Sequence, residues 1–134
     1  MVRLLRPLRL LGCLGAGAGQ QTTQHERGDG DAPDWYPKAY DWFEETPYKF
    51  DQISQFNCEP FRGDEGNPFF LMNHWVGRSP PDPKLSKKAN AEAVLEVRLR
   101  ECATQRGRVP NVIAGDFATT GDIIKTAKKI TDHP

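Results

Sequence analysis

The stretch that decides the fold is Pro68 to Val76, which reads PFFLMNHWV. A continuous apolar run of this kind, ending in polar residues, is typical of a β-strand that is buried on both faces. A second short apolar run, Val112 to Ala114, lies further along the chain. We therefore predict one buried strand in each of these two stretches.

A long helix is predicted between the two strands. Leu85 to Gln105 contains no Gly and no Pro, and Gly107 follows it as the expected stop. Its apolar residues recur at the spacing of one helix face. This face carries Leu95, Leu99 and Cys102, and we expect Val94, Val97 and Ala103 to widen it.

A second helix is predicted at Gly121 to Thr131, with Ile123, Ala127 and Ile130 on one face. The order strand, helix, strand, helix indicates βα units on a parallel sheet. Two strands alone would leave most of their hydrogen-bonding groups unpaired, and a parallel sheet needs both faces covered. We therefore expect the second half of the chain to be the closing part of a larger α/β fold.

The region before the first strand carries weaker signals. Pro37 to Glu45 predicts a short helix, because Pro37 suits a first helical turn and three aromatic residues follow it. Thr46 to Gly66 has little periodicity and several prolines and glycines, which predicts an ordered loop.

Composition and charge exclude two classes of protein. The 134 residues contain 18 Lys and Arg and 18 Asp and Glu, and this balance argues against a nucleic-acid binder. The longest stretch without charge, Leu10 to Gln24, is apolar only in its first part. A membrane-spanning helix needs about 20 predominantly apolar residues, so we predict no membrane span.

An abrupt change in charge predicts a boundary near Glu26. No acid precedes it, whereas residues 26–65 hold 11 acids and 4 bases. We divide the chain into a leader at 1–27, which is signal-like or spurious and disordered, and a domain at 28–134. The leader fits an export signal, in which LLGC at 10–13 resembles a lipoprotein acylation box. It also fits an organellar transit peptide or an extension from an unnatural start codon.

The cysteines outside the leader are Cys58 and Cys102. They are either two buried thiols or, if the protein is exported, a disulfide. The sequence has no CxxC spacing and only three histidines, so we predict no zinc site. No acidic cluster suggests another metal, and we predict no cofactor.

Candidate site residues follow the predicted strands. Asn73 and His74 end the first strand, and Asp116 follows the second. Functional groups of parallel α/β folds cluster at the carboxyl ends of strands, and an aspartate there can orient a histidine base. The alternatives are a carboxylate that caps a loop and a histidine satisfied in the core. Arg62 could bind a phosphate, although an isolated arginine in a turn is more often solvated.

Five stretches in order resemble one family. They are ETPYKF at 45–50, FNCEPFRG at 56–63, FFLMNHW at 69–75, CATQRGRVPN at 102–111 and VIAGDF at 112–117. The set resembles the C-terminal part of bacterial proteins similar to phosphatidylinositol-specific phospholipase C, the PLC-like phosphodiesterases of the TIM-barrel superfamily. The resemblance covers roughly Gly28 to Ile130.

The resemblance implies the C-terminal βα units of an incomplete TIM-type (β/α) barrel, which needs at least about 200 residues when complete. It implies a general base and a general acid, both histidines, in the N-terminal half that this sequence lacks. Asp116 matches an aspartate that orients the histidine base. Asn73 and His74 match an Asn-His pair that has no assigned role. No calcium requirement is implied.

The first functional hypothesis is a fragment of a phosphoric diester hydrolase, inactive alone, that belongs to lipid metabolism. A complete barrel would act on a phospholipid or another phosphodiester. The alternative is a non-enzymatic exported module that binds a partner or self-associates through exposed strand edges. A small complete hydrolase that uses His74 and Asp116 is a third hypothesis, which lacks a second acid–base group. We expect a secreted or cell-envelope location.

Overall fold

The structure, a computed structural model, describes residues 9–10, 33, 35–77 and 79–132. These residues form a small α/β fold in which one sheet is packed against helices. The strands are β1 (Arg9–Leu10), β2 (Phe43–Glu45), β3 (Phe69–Asn73) and β4 (Val112–Ala114). The helices are α1 (Pro83–Ala89), α2 (Glu92–Arg106) and α3 (Ile123–Asp132).

The sheet is parallel throughout, with the strand order β1-β4-β3-β2. In its centre, Leu71 of β3 lies beside Glu45 of β2 on one side and Val112 of β4 on the other. The two strands predicted from apolar runs are confirmed, and so is the α/β class. The described strands form an open sheet, so the TIM-type barrel stays a prediction.

Two residues of the predicted leader belong to this sheet. Arg9 pairs with Val112, and Leu10 pairs with Ile113. The rest of the predicted leader, including Cys13, lies outside the described residues, so the boundary at residue 27 stays a prediction. In the part of the chain that the structure describes, no helix is both long enough and apolar enough to cross a membrane.

The helix predicted at Pro37–Glu45 is wrong. A short 3-10 turn at Ala39–Asp41 is followed, after Trp42, by strand β2. The Phe43 ring stacks on Phe69, with ring centroids 4.9 Å apart, and this packing runs alongside the β2–β3 ladder. Strand formation depends more on such packing than on local sequence preference. This dependence explains why the local sequence predicted a helix instead.

The outer edge of β2 is covered by the loop that follows it. The Glu45 N–H donates to the Arg62 carbonyl at 2.9 Å, and the Phe61 N–H donates to the Glu45 carbonyl at 3.1 Å. Gly63 makes this approach possible, because its φ is +77° and a Cβ there would lie 1.8 Å from the Phe43 carbonyl oxygen. The predicted self-association through strand edges therefore gains no support at this edge.

The single helix predicted at Leu85–Gln105 is also wrong, because two helices meet at Asn90. Helix α1 is capped by Asp82, whose side chain accepts from the Lys84 N–H at 2.8 Å. At the break, the Asn90 carbonyl accepts from the Asp122 N–H at 2.8 Å and so leaves the helical pattern. Gly107, with a φ of +66°, ends α2 as predicted.

The core lies between one face of the sheet and helices α2 and α3. The predicted faces of both helices are confirmed, except that Val97 is exposed. Ile130 is partly buried and packs against the core. The fully buried side chains of this core include Phe70, Met72, Leu95, Leu99, Cys102, Ile113 and Ile123.

The end of α2 is held to β2 by a buried cluster of charges. Glu44 is almost completely buried, and its two carboxylate oxygens accept separately from two arginines. Oε2 accepts from Arg106 Nη2 and Oε1 from Arg108 Nε, each at 2.8 Å. Each guanidinium also lies near the Phe70 ring. A charge that is buried in this way is stable only because it is paired.

Candidate functional site

The chain direction brings the ends of three strands to one edge of the sheet. Because β2, β3 and β4 are parallel, Thr46, His74 and Gly115 follow them at the same edge. The His74 N–H donates to the Ala114 carbonyl at 2.6 Å and joins two of these ends. This edge, which we call the carboxyl-edge site, consists of Glu45, Arg62, Asn73, His74 and Asp116.

Glu45 is a buried carboxylate with two partners. Oε1 accepts from Arg62 Nε, and Oε2 accepts from Asn73 Nδ2 at 3.2 Å. The Arg62 guanidinium lies 4.5 Å from the ring centroid of Tyr40 and 4.9 Å from that of Tyr48. The expectation of a solvated Arg62 is therefore wrong: its side chain is only 25% exposed and belongs to a pair of charges between aromatic rings.

Asn73 is buried and links the ends of β2 and β3. Its Nδ2 donates to the Thr46 carbonyl at 2.6 Å, and its backbone N–H donates to Thr46 Oγ1 at 3.0 Å. The same amide group holds Glu45. Asn73 therefore fixes the geometry at this edge, and in this arrangement its amide has no free hydrogen for a ligand.

His74 is fully buried, which matches the alternative of a satisfied core histidine. Its Nε2 lies 2.9 Å from the Ala89 carbonyl, and its Nδ1 lies 3.3 Å from Nη1 of Arg98. A carbonyl only accepts and a guanidinium only donates, so these partners assign the proton to Nε2. Burial, and secondarily the charge of Arg98, lowers the pKa of His74 to about 4. The imidazole is therefore neutral at pH 7.

Arg98 is the buried cation of this region, and the sequence analysis missed it. Its Nη1 donates to the Asn73 carbonyl at 2.6 Å, and its Nη2 donates to the Asn57 carbonyl at 3.0 Å. Phe56 covers the guanidinium at 4.2 Å. Burial lowers the pKa of Arg98 to about 9, which leaves the side chain charged at pH 7. The sequence feature that could have indicated its burial is its position beside Leu99, on the apolar side of a predicted helix.

Asp116 is half-buried and follows β4 after Gly115. Burial raises the pKa of its carboxyl group. Among the described residues, no hydrogen-bond donor reaches the Asp116 carboxylate. The predicted pair of Asp116 with His74 is not formed, because both ring nitrogens of His74 bind other groups. With respect to the residues that the structure describes, the edge therefore carries a carboxylate that can accept a hydrogen bond.

Cys58 and Cys102 form a disulfide, which resolves the two alternatives left by the sequence. Their Cα atoms lie 5.1 Å apart. The bond joins the loop between β2 and β3 to helix α2. It fixes Phe56 and Asn57, the loop residues that contact Arg98. The disulfide thus stabilises the packing beneath the carboxyl-edge site.

The described residues offer no cluster of metal ligands. Within 35–77 and 79–132, no three His, Cys, Asp or Glu side chains come together in a way that could hold a metal ion. The two buried glutamates are instead neutralised by arginines: Glu44 binds Arg106 and Arg108, and Glu45 binds Arg62.

Comparison with known proteins identifies the family. The family model described as PI-PLC X 1 matches residues 25–131, which is more than half of the chain. No curated protein matches the chain, and no solved structure matches it. The match includes β2, β3 and β4 with the residues that follow each strand, and it confirms the resemblance to phosphatidylinositol-specific phospholipase C. The chain belongs to the PI-PLC X family.

Proposed function

We propose that this chain is part of a phosphoric diester hydrolase similar to phosphatidylinositol-specific phospholipase C, acting on a phospholipid or another phosphodiester. The observation that carries the proposal is the Asp116 carboxylate. It stands at the carboxyl edge of a parallel sheet, half-buried and without a donor among the described residues. Family membership supplies the reaction class.

In this proposal Asp116 orients a histidine. Its carboxylate accepts a hydrogen bond from one ring nitrogen, so that the other nitrogen takes a proton from the attacking hydroxyl. The negative charge then stabilises the imidazolium that forms. Burial raises the pKa of Asp116 from an ordinary value of 3.8, and burial also strengthens its interaction with a cation.

His74 does not fit the role of that base. Its pKa of about 4 makes it a weak proton acceptor, and its Nε2 is bound to the Ala89 carbonyl. We therefore assign His74 a structural role beneath the site. We propose that the base and the acid of the family's chemistry lie outside residues 28–134, and we therefore expect the chain to be inactive by itself.

A barrel is the architecture that we propose for the complete enzyme. Support comes from β2, β3 and β4, which are successive in sequence and adjacent in space, as barrel strands are. The helices pack on one face of this sheet. On the opposite face, Glu45 and Asn73 would line the barrel interior near its carboxyl end, where barrel enzymes hold their sites.

An export pathway fits the same proposal. Disulfides persist in oxidising compartments, and Cys58 is bonded to Cys102. We propose a secreted or cell-envelope location. Trapping free thiols with an alkylating reagent in intact cells tests it: unmodified Cys58 and Cys102 are expected, and alkylation of both residues would contradict the location.

The test of function begins with the native product, isolated with an antibody against α2, and its intact mass. A mass well above 15.1 kDa, the calculated mass of the 134-residue chain, is expected. Hydrolysis of phosphatidylinositol vesicles is then measured for that product and for the 134-residue chain. Only the longer protein should hydrolyse the lipid. Asp116→Asn should lower its rate of hydrolysis by about 100-fold or more.

Asp132→Asn is the matched control, because Asp132 is an exposed aspartate at the end of α3. Its rate should equal that of the wild type. A longer product whose rate is unchanged by Asp116→Asn would remove Asp116 from the mechanism. Turnover by the 134-residue chain would contradict its proposed inactivity.

A further inference from the structure

We propose that Asn90 is the positioning residue for Asp116: its side-chain amide holds the loop between β4 and α3 in the shape that presents the Asp116 carboxylate at the carboxyl edge. The catalytic consequence rests on the proposed function, whereas the structural coupling does not. Asn90 lies in the break between α1 and α2, far from Asp116 in sequence.

The first observation is the set of bonds that one amide nitrogen makes. Asn90 Nδ2 donates to the carbonyls of Asp116 and Thr120, each at 2.9 Å, and lies 3.3 Å from the Phe117 carbonyl. The Asn90 carbonyl accepts from the Asp122 N–H at 2.8 Å. The loop from Asp116 to Asp122 is therefore wrapped around a single side chain that is 1% exposed.

The second observation is close packing against the same residue. Gly121 has a φ of +90°, and a Cβ there would lie 2.7 Å from the Asn90 Cβ and 3.0 Å from the Asn90 carbonyl oxygen. Only glycine allows both the backbone conformation and this approach. The loop thus meets Asn90 by steric fit as well as by hydrogen bonds.

The third observation is a strained residue directly after Asp116. Phe117 has a φ of +50°, a left-handed conformation that is unfavourable for an aromatic residue. Its carbonyl accepts from the Thr120 N–H at 2.7 Å and faces the Asn90 amide. Such strain persists only where surrounding contacts enforce it, and Asn90 supplies one of those contacts.

These observations combine into one expectation. When the Asn90 amide is lost, three loop carbonyls lose their shared donor and Phe117 loses a contact that holds its conformation. The loop then relaxes, and the half-buried Asp116 carboxylate becomes more exposed. Greater exposure returns the pKa of Asp116 toward its ordinary value and removes the fixed orientation that a histidine partner requires.

The experiment compares the wild-type 134-residue chain with Asn90→Ala by NMR. The carboxyl carbon of Asp116 is titrated, and amide hydrogen exchange is followed for residues 116–122. In Asn90→Ala, the pKa of Asp116 should fall toward 3.8, and exchange in the loop should rise by about tenfold or more. A decrease in global stability by itself would not change the pKa of Asp116 in the molecules that remain folded.

Asn111→Ala is the matched control. Its side chain also binds backbone groups beside a strand, accepting from the Phe70 N–H and donating to the Pro68 carbonyl, but it lies before β4. This variant should leave the pKa of Asp116 unchanged. If Asn90→Ala does not fold, Gly121→Ala disturbs the same contact from the loop side and should give the same two changes.

An unchanged Asp116 pKa and unchanged loop exchange in a folded Asn90→Ala or Gly121→Ala chain would overturn the inference. Turnover is a separate measurement on the longer product. A relaxed loop together with a slower reaction supports both proposals. A relaxed loop with unchanged turnover supports the positioning of Asp116 by Asn90 and contradicts the catalytic role of Asp116.

Discussion

Arg98 and His74 are two basic side chains that lie 3.3 Å apart in the interior, from Nη1 of one to Nδ1 of the other. The contact is favourable because His74 is neutral and accepts through Nδ1. Arg98 keeps the charge, and backbone carbonyls together with the Phe56 ring surround it. This relationship makes the interior sensitive to acid.

The first prediction concerns the pH dependence of stability. Between pH 6.5 and about 4, an unfolded chain protonates this histidine while the folded chain does not, because the folded pKa of His74 is about 4. The contribution of neutral His74 to the free energy of unfolding is therefore complete above pH 6.5 and is lost as the pH falls toward 4. The total loss should be about 3 kcal/mol, measured by urea unfolding across this range.

His74→Gln is the control for this effect, because it removes the titrating group. Its stability should change less between pH 6.5 and 4 than that of the wild type. Asp116, whose pKa is raised, acts in the opposite direction and is present in both proteins. If the free energy of unfolding depended on pH equally in the two proteins, the assignment of the acid sensitivity to His74 would be contradicted.

The second prediction concerns Arg98→Met, which removes the positive charge and keeps an apolar side chain. The pKa of His74 should rise, since the charge of Arg98 is one cause of its depression. The carbonyls of Asn57 and Asn73 lose their donor, so the free energy of unfolding should fall by about 2–3 kcal/mol. Imidazole NMR and urea unfolding measure the two effects.

A useful comparison for that variant is Arg100→Met on the exposed side of the same helix. Arg100 binds Glu96 at the surface with a side chain that is 73% exposed. Neither the pKa of His74 nor the stability should change appreciably. If Arg98→Met also left the His74 pKa where it is, the electrostatic part of this account would be wrong.

The third prediction concerns the disulfide. Cys58 and Cys102 are 44 positions apart, and the chain-entropy relation gives about 4 kcal/mol for closing a loop of that length. Replacing both residues by Ala should lower the free energy of unfolding by roughly this amount. Adding a dithiol reductant should destabilise the wild type and leave the double variant unaffected. A wild type indifferent to reductant, once reduction is verified by mass, would refute the prediction.

The fourth prediction compares two glycines with positive φ in one loop. A Cβ on Gly63 would lie 1.8 Å from the Phe43 carbonyl oxygen, whereas nothing lies within 4 Å of a Cβ on Gly66. Both alanine variants bear the backbone strain, and only Gly63→Ala also displaces the loop from the edge of β2. We expect Gly63→Ala to be the less stable and to aggregate on warming, as measured by light scattering.

Much of the sheet could be predicted because β3 and β4 are apolar runs. Strand β2 could not, because its sequence includes two glutamates that would be exposed in most short strands. Glu44 and Glu45 are buried here because arginines from distant parts of the chain pair with them. The sequence near β2 does not show that these distant arginines pair with its glutamates.

In the carboxyl-edge site, too, residues marked by local sequence were predicted, and residues that depend on distant partners were not. Asn73, His74 and Asp116 were found because they follow apolar runs, and residues after parallel strands share one edge. Arg98 and Asn90 were missed, because each acts through backbone carbonyls that tertiary folding brings to it. The helix break at Asn90 was missed for a related reason: Asn is a weak helix former, but its bonds to the β4–α3 loop depend on tertiary folding.

The charge cluster around Glu44 has a consequence for engineering. It ties the end of α2 to β2, and Arg106 also donates to the Cys58 carbonyl in the loop after β2 at 3.2 Å. The cluster therefore fixes the loop after β2, whereas Asn90 holds the loop after β4. The loop after β4 could be exchanged for that of a relative without disturbing the Glu44 cluster, provided that the graft keeps the glycine at 121. The framework would then keep its charged anchor while one short segment beside Asp116 is varied.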